Sequence, residues 1–180
     1  DPRWMLHAIT EGEQVEEQSW SVDGNGHASV SIEGQGAVAR IWLAQASGRI
    51  RIYADGAEQP SIDWDLDTLL SKRFPAHLNS PLFGQVGHGF VCRIPLPFAK
   101  SMRIDFDASA GSVQQGELAI RRFGKGVTGE PLVAGMLEAN MRPLRFAAQQ
   151  LRDNANPETV GGTPLSWSGD FRNHTPPTVE

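Results

Sequence analysis

Ser101-Met102-Arg103-Ile104-Asp105-Phe106-Asp107 alternates polar and apolar side chains without a break. Successive side chains of a β-strand point to opposite faces, so this stretch buries Met102, Ile104 and Phe106 and leaves the other four toward water. A helix would scatter the same residues around its circumference. Four further runs obey the same period: Ala28/Val30/Ile32, Ile50/Ile52, Phe90/Cys92/Ile94 and Leu118/Ile120. Each describes a sheet with one buried and one wet face, the pattern of antiparallel rather than fully covered parallel sheets.

Turn chemistry separates the runs. Asp23-Gly24-Asn25-Gly26 supplies residues that tolerate positive φ, and predicts a tight hairpin between Trp20-Ser21-Val22 and the run starting at Ala28. Asp55-Gly56 ends the Ile50/Ile52 strand in the same way, and the stretch from Ala108 to Ser112, with Gly111, connects the opening strand to the one ending at Ile120. With residues 37–44 and a short piece at 61–63, about eight strands result, a jelly-roll count. The expected fold is therefore all-β, an antiparallel β-sandwich of jelly-roll type. Alternation does not give strand order, and an immunoglobulin-like sandwich accommodates the same runs.

After Arg122 the pattern changes. Gly124, Gly126 and Gly129 precede Leu144, Ala147, Ala148 and Leu151, which recur at helical spacing with Pro143 in a first turn. One C-terminal helix is expected over 141–152. Residues 154–180 are rich in Pro, Gly, Ser and Thr and read as an extended tail. The expected division is a sandwich over 1–124, a linker and helix over 125–153, and an extended tail or linker over 154–180.

With 39% hydrophobic residues the chain can bury a core, and 19 Gly and 12 Pro suit a fold of many short strands. The net charge of −5 shows no basic footprint, so nucleic acid is not expected as a partner. No apolar run reaches the length of a membrane helix, and no membrane partner is expected. Beginning at Asp1 rather than Met suggests a processed or excised chain. Cys92 is the single cysteine, so no internal disulfide forms. A secreted or periplasmic location remains compatible with that, because a domain of this size can do without one.

Few residues suggest chemistry. Asp63, Asp65 and Asp67 could share one side of an extended segment, but Thr68 and Phe74 stand where a calcium loop starting at Asp63 needs Gly and Glu. Capping of a short helix through Thr68, Leu69 and Leu70 by Asp65 or Asp67 is the simpler role. The histidines His7, His27, His77, His88 and His174 include no pair at zinc spacing; neither a metal nor another cofactor is expected. Cys92 alternates with Phe90 and Ile94 and reads as a small core hydrophobe. His88, in Gly87-His88-Gly89, lies where backbone can approach a ligand closely, although a surface-loop histidine is the ordinary reading. Trp64, between Asp63 and Asp65, is placed for exposure, while Trp42 lies among core-like residues. Trp64, Asp67 and His88 are thus the candidate ligand-binding residues.

Several stretches, in order, resemble the first jelly roll of glycoside hydrolase family 172, whose members include α-D-fructofuranosidase and D-arabinan-degrading enzymes. They are Gly34-Gln35-Gly36-Ala37-Val38-Ala39-Arg40-Ile41-Trp42-Leu43, Arg49-Ile50-Arg51-Ile52-Tyr53-Ala54-Asp55-Gly56, Pro60-Ser61-Ile62-Asp63, Gly87-His88-Gly89-Phe90-Val91-Cys92 and Pro95-Leu96-Pro97-Phe98-Ala99-Lys100-Ser101. The resemblance spans about residues 30–122. It implies tandem jelly rolls, a homo-oligomer (a trimer or higher), a carbohydrate partner and hydrolysis of furanosides by a glutamate pair. That pair lies beyond the first roll, so the resemblance carries no catalytic residue onto this chain and implies that the chain alone is inactive. A non-catalytic carbohydrate-binding sandwich and an oligomer-forming structural module are the rival readings.

Overall fold

The computed structural model describes residues 14–70, 82–109, 115–124 and 132–139, together with Arg142, Leu144, Phe146 and Gln149. Among the described residues, ten strands make two antiparallel sheets. They are β1 (Gln14–Ser21), β2 (His27–Glu33), β3 (Gly36–Leu43), β4 (Arg49–Ala54), β5 (Ile62–Asp65), β6 (Phe83–Val86), β7 (Gly89–Cys92), β8 (Leu96–Phe98), β9 (Ser101–Asp107) and β10 (Gln115–Arg122). One sheet runs β1-β10-β3-β7-β6 with β8 also on β3; the other runs β2-β9-β4-β5.

The pairing is nested. β1 lies on β10, β2 on β9, and β3 on β7 and β8, as if one long hairpin had been rolled onto itself. That wrapping is the jelly roll, and it excludes the immunoglobulin alternative. β7 and β8 face successive parts of β3 and form one interrupted strand. Pro95, which has no N–H to give a ladder, lies in the interruption. With β6 added at the edge, the expected eight strands become ten.

The anticipated hairpin between residues 20–22 and the run at Ala28 does not form. β1 joins β10 in one sheet and β2 joins β9 in the other, so the intervening turn is a corner between sheets. The turn itself closes as its residues suggest. The Asp23 carboxylate accepts from the backbone N–H of Asn25 and of His27, both at 2.9 Å, and those bonds hold its pKa below the usual carboxylate range. At Asp55-Gly56 both residues have positive φ (56° and 78°), as a primed hairpin turn requires, and β4 pairs with β5 beyond it.

The alternating runs face inward as read. Ala28, Val30, Ile32, Ile50, Ile52, Phe90, Cys92, Ile94, Met102, Ile104, Phe106, Leu118 and Ile120 are all buried in one core. Asp55 ties the β4–β5 turn to the β8–β9 connection: its carboxylate accepts from the N–H groups of Ala99 (2.9 Å), Lys100 (2.6 Å) and Ser101 (3.1 Å). Of the expected helix at 141–152, Arg142, Leu144, Phe146 and Gln149 are helical and Leu144 is buried; its remaining residues, and the tail at 154–180, lie outside the described residues. The described C-terminal helix α2 is Met136–Ala139.

Burial pushes the Cys92 thiol up to about 12. The thiolate is the reactive form. Native protein should therefore resist a thiol reagent at pH 8 and react stoichiometrically once unfolded in guanidinium. Rapid labelling of the folded chain would contradict the burial.

Candidate functional site

Two of the three candidate residues, Asp67 and His88, hydrogen-bond the β3–β4 loop at residues 44–48. β5 carries Trp64 and leads into the short helix α1 (Leu66–Leu69). Asp65 caps that helix, its carboxylate accepting from Thr68 N–H at 2.9 Å, and this bond lowers its pKa. Asp67 turns instead to the loops. Its carboxylate accepts from Gly48 N–H at 3.3 Å and from the Ser109 hydroxyl at 3.0 Å. Leu66 N–H donates to Gly48 carbonyl at 2.8 Å, so α1 and the 44–48 loop are held at two points. His88, in the turn between β6 and β7, accepts from Ala46 N–H through its backbone carbonyl at 2.8 Å. Its exposed side chain lines a shallow depression with Gln45, Ala46, Ser47 and Gln85.

The structure ties Asp67 and His88 to one loop, at Gly48 and Ala46, but not into one concavity. Trp64 is not the exposed platform its acidic neighbours suggested. It shares parity with Ile62, points inward and meets Phe83 edge-on at 5.1 Å and Phe90 at 6.3 Å. Half-buried, it packs at the rim of the core. Trp42, expected in the core, is 37% exposed on the outer face of the first sheet.

Asp63 is engaged elsewhere, in two 2.7 Å bonds with Arg49, whose side chain holds its carboxyl below the ordinary carboxylate value. The three aspartates therefore bond different partners, and no group of metal-ligating side chains forms among the described residues. Asp63 and Asp65 both titrate below their unfolded values. Such groups stabilise the fold above the unfolded pKa of about 4, and the contribution disappears as pH falls through the folded value. Urea midpoints should drop between pH 5 and pH 2.5, and the joint Asp63→Asn, Asp65→Asn variant should show a flatter dependence. An equally steep drop in that variant would place the acid sensitivity in other groups.

The outer face of the second sheet carries a denser polar array that the strand-by-strand reading did not assemble. Register aligns His27, Asp107 and Arg49 in one row, Ser29, Asp105 and Arg51 in the next, and Ser31, Arg103 and Tyr53 in a third. Asp107 bonds His27 Nδ1 at 2.8 Å and pairs with Arg51; Asp105 accepts from the Ser29 hydroxyl at 2.7 Å and pairs with Arg103 at 3.3 Å. Arg103 also lies over the Tyr53 ring, 4.0 Å from its centroid. Period-two alternation had placed each of these residues except His27 outward. What it lacked was the register that makes them neighbours.

A sandwich with nested jelly-roll pairing and a polar outer face is a carbohydrate-active architecture in many unrelated proteins, so fold alone does not name a function. Sequence comparison names the family: the GH172 first β-sandwich domain matches residues 11–129. The chain belongs to glycoside hydrolase family 172. No curated protein matches it at a significant level.

Proposed function

We propose that this chain is the supporting first sandwich of a family 172 glycoside hydrolase acting on furanoside-containing glycans, fructofuranosides or D-arabinofuranosides. Cleavage would take carboxylates from a second jelly roll or a neighbouring copy. The family match to a first sandwich domain carries the reading. The side-chain geometry supports it. Glycoside hydrolysis uses a carboxylic acid and a second carboxylate facing the scissile bond. Asp105 and Asp107, two residues apart on the outer face of β9, are each already engaged by two protein partners.

The test is purified chain against aryl fructofuranosides and aryl arabinofuranosides. Turnover at background is expected from the chain alone, with activity when a second sandwich domain is supplied in the same polypeptide. Turnover by the chain that a single Asp or Glu substitution abolishes would overturn the supporting role.

A further inference from the structure

We propose that the outer face of the β2-β9-β4-β5 sheet holds a sugar-binding subsite, formed by Ser31, Glu33, Tyr53, Ser101 and Arg103, that takes one neutral sugar ring through its vicinal hydroxyls. It rests on the furanoside reading above for the sugar's class, and on the geometry of the face for its place.

Polar side chains on this face divide into two zones. Toward Asp107 and Asp105 they are paired with one another: His27, Arg51 and Ser29 each bond an aspartate, and Arg49 holds Asp63. Toward the opposite end the pairing thins: Arg103 still reaches Asp105 at 3.3 Å and lies over the Tyr53 ring. The Glu33 carboxylate, the Tyr53 phenol and the hydroxyls of Ser31 and Ser101 bond to none of the described residues; the Arg122 side chain donates to the Glu33 backbone carbonyl, not to its carboxylate. These four side chains and Arg103 line a half-open depression of about 180 Å³, with Gly56 and Ala57 on its wall. That is smaller than the roughly 300–1,000 Å³ cleft of a drug-sized ligand, so it suits one ring and not a chain.

The wall is a built feature. Asp55 accepts from three successive backbone N–H groups, which fixes the turn bearing Gly56 beside the start of β9. A Cβ on Gly56 would meet nothing within 4 Å, so its backbone lies open to the depression.

Charge selects the ligand class. Glu33 disfavours an anion and Arg103 disfavours a cation, while the pair together suits a neutral molecule that both donates and accepts. A carboxylate accepts from two hydroxyls on adjacent carbons, and the Ser and Tyr hydroxyls serve as either partner. A lone carboxylate is too few ligands for calcium. A polyol ring meets all of these conditions.

The experiment is ¹H–¹⁵N NMR titration of the whole chain with methyl fructofuranoside, methyl arabinofuranoside and methyl glucopyranoside. Saturable shifts should centre on Ser31, Tyr53, Gly56 and Ser101 with at least one furanoside. Glu33→Gln should weaken that binding roughly tenfold or more, the effect of losing a charge-assisted hydrogen bond, with an unchanged melting temperature. Tyr53→Phe should weaken it less. Binding of the pyranoside with neither furanoside supports the depression and instead removes furanosides from the function proposed above. Hydrolysis by the chain would defeat the supporting role without touching this site. No saturable shift with any sugar, shifts gathered at 45–47 and 85–88, or wild-type affinity in Glu33→Gln would overturn the subsite.

Discussion

Phe106→Ala is expected to lower the unfolding free energy by about 3–5 kcal/mol, the range for truncating a buried aromatic ring. Phe106 is 1% exposed and lies on β9, the central strand that pairs with both β2 and β4. Its ring meets Trp20 from the opposing sheet at 5.3 Å with the planes tilted by 42°. Gly116 makes that contact possible, because Trp20 lies opposite it in the β1–β10 ladder and a Cβ there would collide with the indole. Losing the Phe106 ring thus removes core volume and leaves Trp20, on an edge strand, without its inter-sheet partner. Urea unfolding at pH 7 measures the loss. A change below about 1 kcal/mol would mean that the site collapses around the missing ring or that the ring contributes little. Phe106→Leu, which keeps most of the volume, should recover a large part of the difference.

Strand faces were legible because burial acts locally, on every second residue. Neighbours were not, because nothing within residues 20–30 distinguishes a hairpin from a corner between sheets. Trp20 is drawn to Phe106, more than eighty positions away, and β1 goes with it to the other sheet. Trp42 shows a second limit. Counting by twos from buried Val38 turns Trp42 inward, but register passes from Ile120↔Val38 to Ala119↔Arg40 and leaves Ala39 unopposed. This bulge reverses the parity, so Ile41 and Leu43 are buried and Trp42 faces out. Trp64 could have been read correctly, since it alternates with Ile62. Its charged neighbours Asp63 and Asp65 are what the opposite face of such a strand should carry. Asp67 and His88 each reach the 44–48 loop through a backbone N–H, of Gly48 and of Ala46, and such bonds leave no trace in residue type. The polar depression was hidden for another reason: its residues come from three strands whose register is a property of the folded sheets.

Gly48→Ala should cost about 2–5 kcal/mol, combining left-handed strain of about 1–2 kcal/mol with overpacking of about 1–3 kcal/mol. Gly48 has φ 95°, a conformation that side chains with a Cβ rarely adopt. A Cβ would collide with the Asp107 carbonyl oxygen and come within 2.8 Å of the Phe106 ring and 3.2 Å of Ala108 Cα. Backbone does not yield as a flexible side chain does, so the 44–48 loop must move. That loop receives Leu66 N–H at the Gly48 carbonyl and gives Gly48 N–H to Asp67, so its displacement should also loosen α1. Because one of the collisions is with Phe106 itself, the two substitutions are coupled. In a Phe106→Ala background the ring clash is gone while the carbonyl clash and the positive φ remain. The double variant should therefore be more stable than the sum of the single losses implies, by about 0.5–3 kcal/mol, the usual coupling between residues in contact. Measured by urea unfolding of all four proteins, strict additivity would show that the Phe106 ring moves aside freely and that Gly48 is required by its backbone alone.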